Sequence, residues 1–185
     1  MAESAFLNPA VSIRMAGVHE GMQVADFGAG SGFFTRAAAR EVGTAGRVWA
    51  VDINSDLLPR IKSLAEAEGL RNVEVMRGDV EVVDGSNLPS ESFDFVIAAN
   101  LFFVLEHKSE CIAEIRRVLK KAGRALIIDW TNSHGGLGPH KDHVLTATQA
   151  GTLLEAHGMH VLGQVPAGAY HWGFVVRKKS SEAAL

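Results

Sequence analysis

The chain has 185 residues, a net charge of −3 and a hydrophobic fraction of 47%. This length suits one domain with a full hydrophobic core. The slightly negative net charge argues against nonspecific electrostatic binding to nucleic acid. Cys111 is the sole cysteine, which excludes an intrachain disulfide and indicates a reducing compartment. Without a signal-peptide pattern or a run long enough to cross a bilayer, we expect a cytoplasmic protein that binds neither nucleic acid nor membrane.

The beginning of the chain's first strand–turn–helix unit carries its strongest functional signal. Residues 24–27 read as a short buried strand, 28–32 as a glycine-rich turn and 33–42 as a helix. Glycines allow positive φ and close approach of a ligand, and the helix N-terminus offers free N–H groups. A second strand over 48–52 ends on Asp52, whose carboxylate can accept hydrogen bonds from both hydroxyls of a ribose. These features predict a site for a cofactor that contains a nucleoside.

The details of the turn indicate which cofactor. The dinucleotide fingerprint G-x-G-x-x-G needs a third glycine for close packing, and Phe33 stands in its place. Asp26, two residues before the first glycine, would repel a pyrophosphate but suits an ammonium group. S-adenosylmethionine combines an ammonium, a carboxylate and a ribose. The segments VADFGAGSGFFT and VWAVDIN resemble the first two motifs of the class I S-adenosylmethionine-dependent methyltransferases.

The rest of the chain alternates between helices and strands. We predict a helix from Leu57 that ends by Gly69, strands over 73–77 and 93–99, a helix from about Ser109 that ends just before Gly123, and a strand over 124–129. Thr146 opens a capping-box pattern ahead of another helix. The last two strands, 159–165 and 170–177, are joined by a connection too short for a parallel crossover, so they must run antiparallel.

Five strand–helix units and a terminal hairpin predict an α/β fold of the Rossmann-like, doubly wound kind. It is an α-β-α sandwich around a seven-stranded sheet, mostly parallel with an antiparallel last strand. This is also the architecture of the methyltransferase family, and the resemblance covers roughly residues 20–177. We expect an N-terminal lid segment over 1–20 with one short helix, a methyltransferase domain over 21–178 and a tail over 179–185.

The resemblance implies roles for the residues at the strand ends. Asp26 would hold the methionine ammonium, Asp52 the ribose and Asp79 the adenine amino group, with Ile53 and Val80 on the two adenine faces. For Asp79, ordinary turn chemistry after a strand is an equal alternative. The implied cofactor-binding set is Asp26, Gly28, Ala29, Gly30, Ser31, Gly32, Phe33, Asp52, Ile53, Gly78, Asp79, Val80, Asn100, Leu101 and Phe102.

The sequence indicates less clearly which residues would bind the molecule that accepts the methyl group. Methyl transfer depends on in-line positioning, and a general base is optional. His107, His134 and Tyr170 are the candidate catalytic groups, and Trp130 and His171 are candidate acceptor contacts. Core packing or solvent exposure is an alternative for each of them. The loop histidines have no cysteine beside them, so no metal site is predicted.

The sequence therefore predicts an S-adenosylmethionine-dependent methyltransferase that acts on a small molecule as a monomer or homodimer. Two alternatives stay open. One is a nicotinamide-dependent oxidoreductase on a similar sheet, which Asp26, Phe33 and the terminal hairpin disfavour. The other is a module that binds the cofactor without catalysis. No N-P-P-Y motif follows the fourth strand, which argues against methylation of nucleic-acid bases.

Overall fold

A seven-stranded sheet organises the computed structural model, which describes residues 6–179. Its strands are β1 (Gln23–Phe27), β2 (Arg47–Asp52), β3 (Val73–Arg77), β4 (Phe93–Ala99), β5 (Leu119–Trp130), β6 (Met159–Gln164) and β7 (His171–Lys178). The helices are α1 (Pro9–Met15), α2 (Phe33–Val42), α3 (Leu57–Ala67), α4 (Lys108–Val118) and α5 (Ala147–Ala156). Short 3₁₀ turns over His134–Gly136 and Lys141–His143 lie in the connection between β5 and α5.

The strand order confirms the predicted architecture. Across the sheet it is β3-β2-β1-β4-β5-β7-β6, with β1 to β5 parallel. Strand β7 is antiparallel to both β5 and β6. The order reverses direction between β1 and β4, and in open α/β sheets ligands bind at such a switch point, outside the carboxyl ends of the strands.

Each face of the sheet buries its own apolar cluster. Helices α1, α2 and α3 contribute Ile13, Ala38 and Ile61 to one cluster. Helices α4 and α5 contribute Ile112 and Leu154 to the other. The helices therefore form two outer layers, and the sheet between them positions the residues at its strand ends.

Most predicted elements are confirmed, and the end of α4 is a correction. Helix α5 has the expected capping box, with the Thr146 hydroxyl accepting from the Gln149 backbone N–H. Helix α4, however, ends at Val118, and Gly123 lies inside β5. Leu119 is already extended and pairs with Phe93, with a register shift before Phe95. Strand pairing therefore overrides the helical pattern of the sequence at this point.

The predicted count of five strand–helix units is also wrong, because the connection from β3 to β4 has no helix. Residues 78–92 form turns, with positive φ at Asp84, Asn87 and Glu91. The fully buried carboxylate of Glu114 on α4 organises this segment. It accepts from the backbone N–H groups of Asp84 and Ser86, at 2.7 and 3.2 Å. A tertiary contact thus takes the place of local helical hydrogen bonds.

Candidate functional site

A glycine turn joins β1 to α2 at the switch point of the sheet. Gly28, Gly30 and Gly32 have φ of +65°, +52° and +71°. This left-handed backbone favours glycine, because a Cβ there approaches the following carbonyl oxygen. The N–H groups of Gly28 and Ala29 donate to the Val51 carbonyl at 2.9 and 3.1 Å, which ties the turn to the end of β2.

Asp52, at the end of β2, holds the same turn from its other side. One carboxylate oxygen accepts from the Gly30 N–H at 2.9 Å, and the other accepts from the Asn54 N–H at 2.9 Å. Each carboxylate oxygen has more than one acceptor site, so the group can also accept from a ligand. These two hydrogen bonds hold the side chain in one orientation.

Asp26 is an acid buried inside β1. It is 2% exposed, and one carboxyl oxygen accepts from the Thr35 hydroxyl on α2 at 2.5 Å. Burial raises the pKa of Asp26 to about 7 in spite of the hydrogen bonds from Thr35, and the nearby charge of Asp52 raises it further. A cationic ligand group would stabilise the ionised form, so this carboxyl is suited to an ammonium.

Two adjoining cavities open at these strand ends. The smaller, of about 290 Å³, is lined by Gly28, Val51, Asp52, Ile53, Gly78, Asp79, Val80, Glu81, Asn100, Leu101, Val104 and Leu105. The larger, of about 580 Å³, is lined by Phe6, Leu7, Pro9, Asp26, Gly28, Ala29, Gly30, Ser31, Phe33, Phe34, Ala99, Asn100, Trp130 and His171. Gly28 and Asn100 belong to both linings, so the two spaces meet at the switch point.

Five of the residues singled out by sequence lie outside both linings. Gly32 is the N-cap of α2, and Phe102 is 1% exposed in the apolar core. The His107 backbone N–H donates to a Glu81 carboxylate oxygen at 2.5 Å. The rings of His134 and Tyr170 contact each other edge to face, 4.9 Å apart. The three candidate catalytic groups are thus absent from the two cavity walls described.

Asp79 forms the turn that the sequence offered as one of its two roles, and it lies where it could also serve a ligand. One of its carboxylate oxygens accepts from the Glu81 N–H at 2.9 Å, which is an Asx turn, and the residue also lines the smaller cavity. Glu81 lies in the same lining and was not expected there. The turn at Asp79 places Glu81 in this lining. The residue types after Asp79 form no pattern that would have predicted this position.

The far wall of the larger cavity is built by two strand ends that pair across β5 and β7. Trp130 and His171 are register partners, and their rings lie 4.2 Å apart. Asp129, 1% exposed, accepts from the backbone N–H groups of Trp130 and Phe103 at 2.8 and 2.9 Å. Burial raises the pKa of Asp129 to about 6, although these hydrogen bonds lower it. The carboxyl thus joins the loop after β4 to the end of β5.

Comparison with known proteins identifies the family. A family model described as a methyltransferase domain matches residues 18–156. The chain belongs to the class I S-adenosylmethionine-dependent methyltransferases. A solved S-adenosylmethionine-dependent methyltransferase from Aquifex aeolicus is 29% identical, with a TM-score of 0.84 over 93% of this chain and 90% of that one. The predicted family, fold and cofactor are therefore confirmed, and the nicotinamide alternative is set aside.

Curated relatives include two ubiquinone/menaquinone biosynthesis C-methyltransferases named UbiE. The one from Bordetella avium is 33% identical over 133 residues, which is 72% of this methyltransferase chain and 50% of the relative. The one from Laribacter hongkongensis is 32% identical over 133 residues, or 71% of this chain and 52% of the relative. The chain spans about half the length of these curated relatives.

The residues present in this methyltransferase fit S-adenosylmethionine. The glycine turn leaves a cradle that a side chain would fill, because a Cβ on Gly28 would lie 2.6 Å from Leu101 Cδ1. Asp26 and Asp52 place acidic groups on the two sides of that cradle, and the exposed apolar side chain of Ile53 lies beside the smaller cavity. Two acidic groups thus lie beside an apolar surface, an arrangement that suits the ammonium, the ribose and the adenine ring of this cofactor.

Filling this cradle provides a direct test. In Gly28→Ala, the positive φ should cost about 1–2 kcal/mol of unfolding free energy, and the new Cβ should push Leu101 toward the smaller cavity. We expect a lower melting temperature together with weaker S-adenosylhomocysteine binding, measured by thermal unfolding and calorimetry. Gly21→Ala is the matched control, because Gly21 also has a positive φ, its Cβ would meet nothing within 4 Å, and it lies outside both cavity linings. Equal loss of binding in both variants would contradict the crowding argument.

Within residues 6–179, no helix is long and apolar enough to cross a membrane. In the same range, no group of three or more His, Cys, Asp or Glu side chains could hold a metal ion.

Proposed function

We propose that this protein transfers the methyl group of S-adenosylmethionine to a small-molecule acceptor bound in the larger cavity. The observation that carries the proposal is the junction of the two cavities at Gly28 and Asn100, between the ends of β1 and β4. A nucleoside in the smaller cavity and an acceptor in the larger one would face each other across this junction. Bound there, the cofactor supplies an electrophilic methyl group on its sulfonium.

The roles of the surrounding residues follow from their places. Asp26 would pair with the ammonium, Asp52 would accept from the ribose hydroxyls, and Asp79 would accept from the adenine amino group with its remaining acceptor capacity. Ile53 and Val80 would cover the adenine ring. The other proposed cofactor contacts are Gly28, Ala29, Gly30, Ser31, Phe33, Gly78, Asn100 and Leu101, with Gly32 and Phe102 supporting them from the helix cap and the core.

Residues of the N-terminal segment contribute to the acceptor side. Leu7 and Pro9 line the larger cavity together with residues of the glycine turn, which supports a lid formed by residues 1–20 on a methyltransferase domain over 21–178. Residues 1–5 and most of the proposed tail, 180–185, lie outside the described residues. We further propose that the enzyme works in the cytoplasm, since the lone Cys111 is a buried free thiol.

The acceptor is proposed from similarity and from the cavity. Relatives named as C-methyltransferases of ubiquinone and menaquinone biosynthesis make a quinone precursor methylated at carbon the first acceptor to test. The larger cavity is bordered by aromatic side chains, namely Phe33, Phe34 and Trp130, which suit a flat apolar acceptor.

Calorimetric titration with S-adenosylmethionine, S-adenosylhomocysteine and NADH tests the cofactor, and label transfer from methyl-labelled cofactor tests the reaction. We expect micromolar binding of the first two compounds, none of NADH, and transfer of label to the acceptor. Binding without transfer to any acceptor tried would favour the non-catalytic module. Binding of NADH alone would overturn the proposal.

The titration of Asp26 predicts how cofactor binding depends on pH. With a pKa of about 7, the carboxyl is mostly neutral at pH 6 and mostly ionised at pH 8, and only the ionised form pairs with an ammonium. S-adenosylhomocysteine should therefore bind about tenfold more tightly at pH 8 than at pH 6. The contribution of Asp26 to the stability of the ligand-free protein should show the opposite trend, because the raised pKa of this carboxyl makes that contribution fall as pH rises between about 4 and 7.

The control for this pH dependence is Asp26→Asn. It should bind S-adenosylhomocysteine more weakly at pH 8 and show a flatter pH profile, measured by calorimetry in buffers of equal ionic strength. The same slope in wild type and Asp26→Asn would assign the titration to another group, such as Asp129, whose pKa of about 6 lies nearby.

A further inference from the structure

His171 is an exception to the rule that buried polar groups are paired. Among residues 6–179, its two ring nitrogens are the buried side-chain polar atoms without a hydrogen-bond partner. Unpaired buried groups lower stability, so a native protein that retains them calls for an explanation. No hydrogen bond among the described residues uses the polarity of this imidazole.

The ring is placed where it can act on a ligand. His171 is the first residue of β7, and its register partner is Trp130 at the end of β5. Both residues line the larger cavity, with their rings 4.2 Å apart and tilted by 40°. Because packing rather than hydrogen bonding holds the imidazole, it can turn toward the cavity without breaking a hydrogen bond.

The charges on the cavity wall limit which ligand groups can bind beside the imidazole. Asp26 is the acidic side chain of this lining, and neither lysine nor arginine is among the described residues that line it. Burial lowers the pKa of His171 to about 4, and the nearby His134 lowers it further. At neutral pH the imidazole is therefore uncharged and offers one donor and one acceptor. The described residues of this wall offer a carboxylate no cation, and the ammonium of the cofactor would be paired with Asp26, whereas a hydroxyl or amide would find a partner in the imidazole.

We propose that His171 is a specificity-determining residue of the acceptor site, where it hydrogen-bonds an uncharged hydroxyl or amide group of an acceptor that packs against Trp130. This rests on the proposed function, because it takes the larger cavity as the acceptor site. It defines the acceptor as a neutral molecule with an apolar body and at least one hydrogen-bonding group, and it excludes a carboxylate at this position.

Three matched probes test the selectivity at pH 7 without knowledge of the natural acceptor. They are 4-ethylphenol, ethylbenzene and 4-ethylbenzoate, titrated into the full chain saturated with S-adenosylhomocysteine and followed by ligand-observed NMR. We expect 4-ethylphenol to bind about tenfold more tightly than ethylbenzene, as one hydrogen bond would provide, and 4-ethylbenzoate to bind most weakly.

The variant His171→Phe should remove the preference for 4-ethylphenol and leave S-adenosylhomocysteine affinity unchanged. Its melting temperature should equal or exceed that of wild type, since the unpaired nitrogens are gone. A merely structural histidine would instead show a lower melting temperature and no change in probe selectivity. His171→Asn, which keeps a donor and an acceptor, should retain part of the preference. His171→Leu replaces the phenylalanine variant if that one does not fold.

Three results would overturn the proposal. They are an unchanged preference in His171→Phe, equal binding of 4-ethylbenzoate and 4-ethylphenol, and no binding of any probe to wild type. Failure of S-adenosylhomocysteine to bind would be a separate result against the proposed function. In that case the same probes, titrated into the ligand-free chain, still decide the role of His171.

Discussion

Asp52→Ala is expected to weaken S-adenosylmethionine binding by about 1.5–3 kcal/mol, or roughly 10- to 150-fold. The substitution removes the proposed partner of the ribose hydroxyls, and it also leaves the N–H groups of Gly30 and Asn54 without their acceptor. The glycine turn would lose its restraint at the point where the two cavities meet. Calorimetric titration of the cofactor measures the effect, and thermal unfolding shows whether the variant is folded.

Two further variants sharpen the interpretation of Asp52. Asp52→Asn keeps one oxygen acceptor, so we expect an intermediate affinity. Asp56→Ala is the matched control, because Asp56 is an exposed acid four positions along the chain whose side chain makes no capping bond to α3. Unchanged affinity in Asp52→Ala would contradict the proposed contact with the ribose. An equal loss of affinity in Asp56→Ala would assign the effect to overall charge.

Arg117→Ala should destabilise the fold by about 3–5 kcal/mol, the usual range when a buried carboxylate loses its cationic partner. Arg117 donates from Nε and Nη2 to the two carboxylate oxygens of Glu114, each at 2.8 Å, and Glu114 is fully buried. Arg117 also donates to the Leu88 carbonyl at 2.7 Å, within the helix-free connection 78–92. Chemical denaturation measures the loss of unfolding free energy.

The neighbouring Arg116→Ala serves as the control, since Arg116 is exposed on the same helix. It should change the unfolding free energy by less than about 0.5 kcal/mol. A similar loss in both variants would show that helix content, not the Glu114 network, explains the result. Arg117→Ala should also weaken cofactor binding, because residues 78–81 of this connection line the smaller cavity.

The pH dependence of stability provides a second readout of the same network. Burial alone would raise the pKa of Glu114, but the hydrogen bonds from Arg117 and Ser86 outweigh it and hold the pKa below its usual value. The stability that Glu114 contributes is therefore present above the pKa of the unfolded chain and is lost as pH falls through the folded value. In Arg117→Ala this acid-dependent part of the unfolding free energy should shrink.

Features that depend on neighbouring residues were predictable from the sequence. Asp26, the glycine turn and Asp52 lie within one strand–helix–strand segment, so their spacing alone placed them at adjacent strand ends. The antiparallel β7 followed from the length of one connection, and α5 from one capping box. In each case the determining interaction joins residues that are close in sequence, so a short sequence pattern is enough to predict it.

Features that depend on the sheet's register or on burial were decided only by the tertiary structure. The end of α4 and the helix-free connection 78–92 depend on pairing with Phe93 and on the carboxylate of Glu114, both distant in sequence. The pairing of Trp130 with His171 across β5 and β7 follows from strand register, which residue types do not encode. The raised pKa of Asp26 and the unpaired nitrogens of His171 come from desolvation by packed neighbours. The sequence alone therefore determined the family and the cofactor, while long-range packing decided the shape and chemistry of the larger cavity.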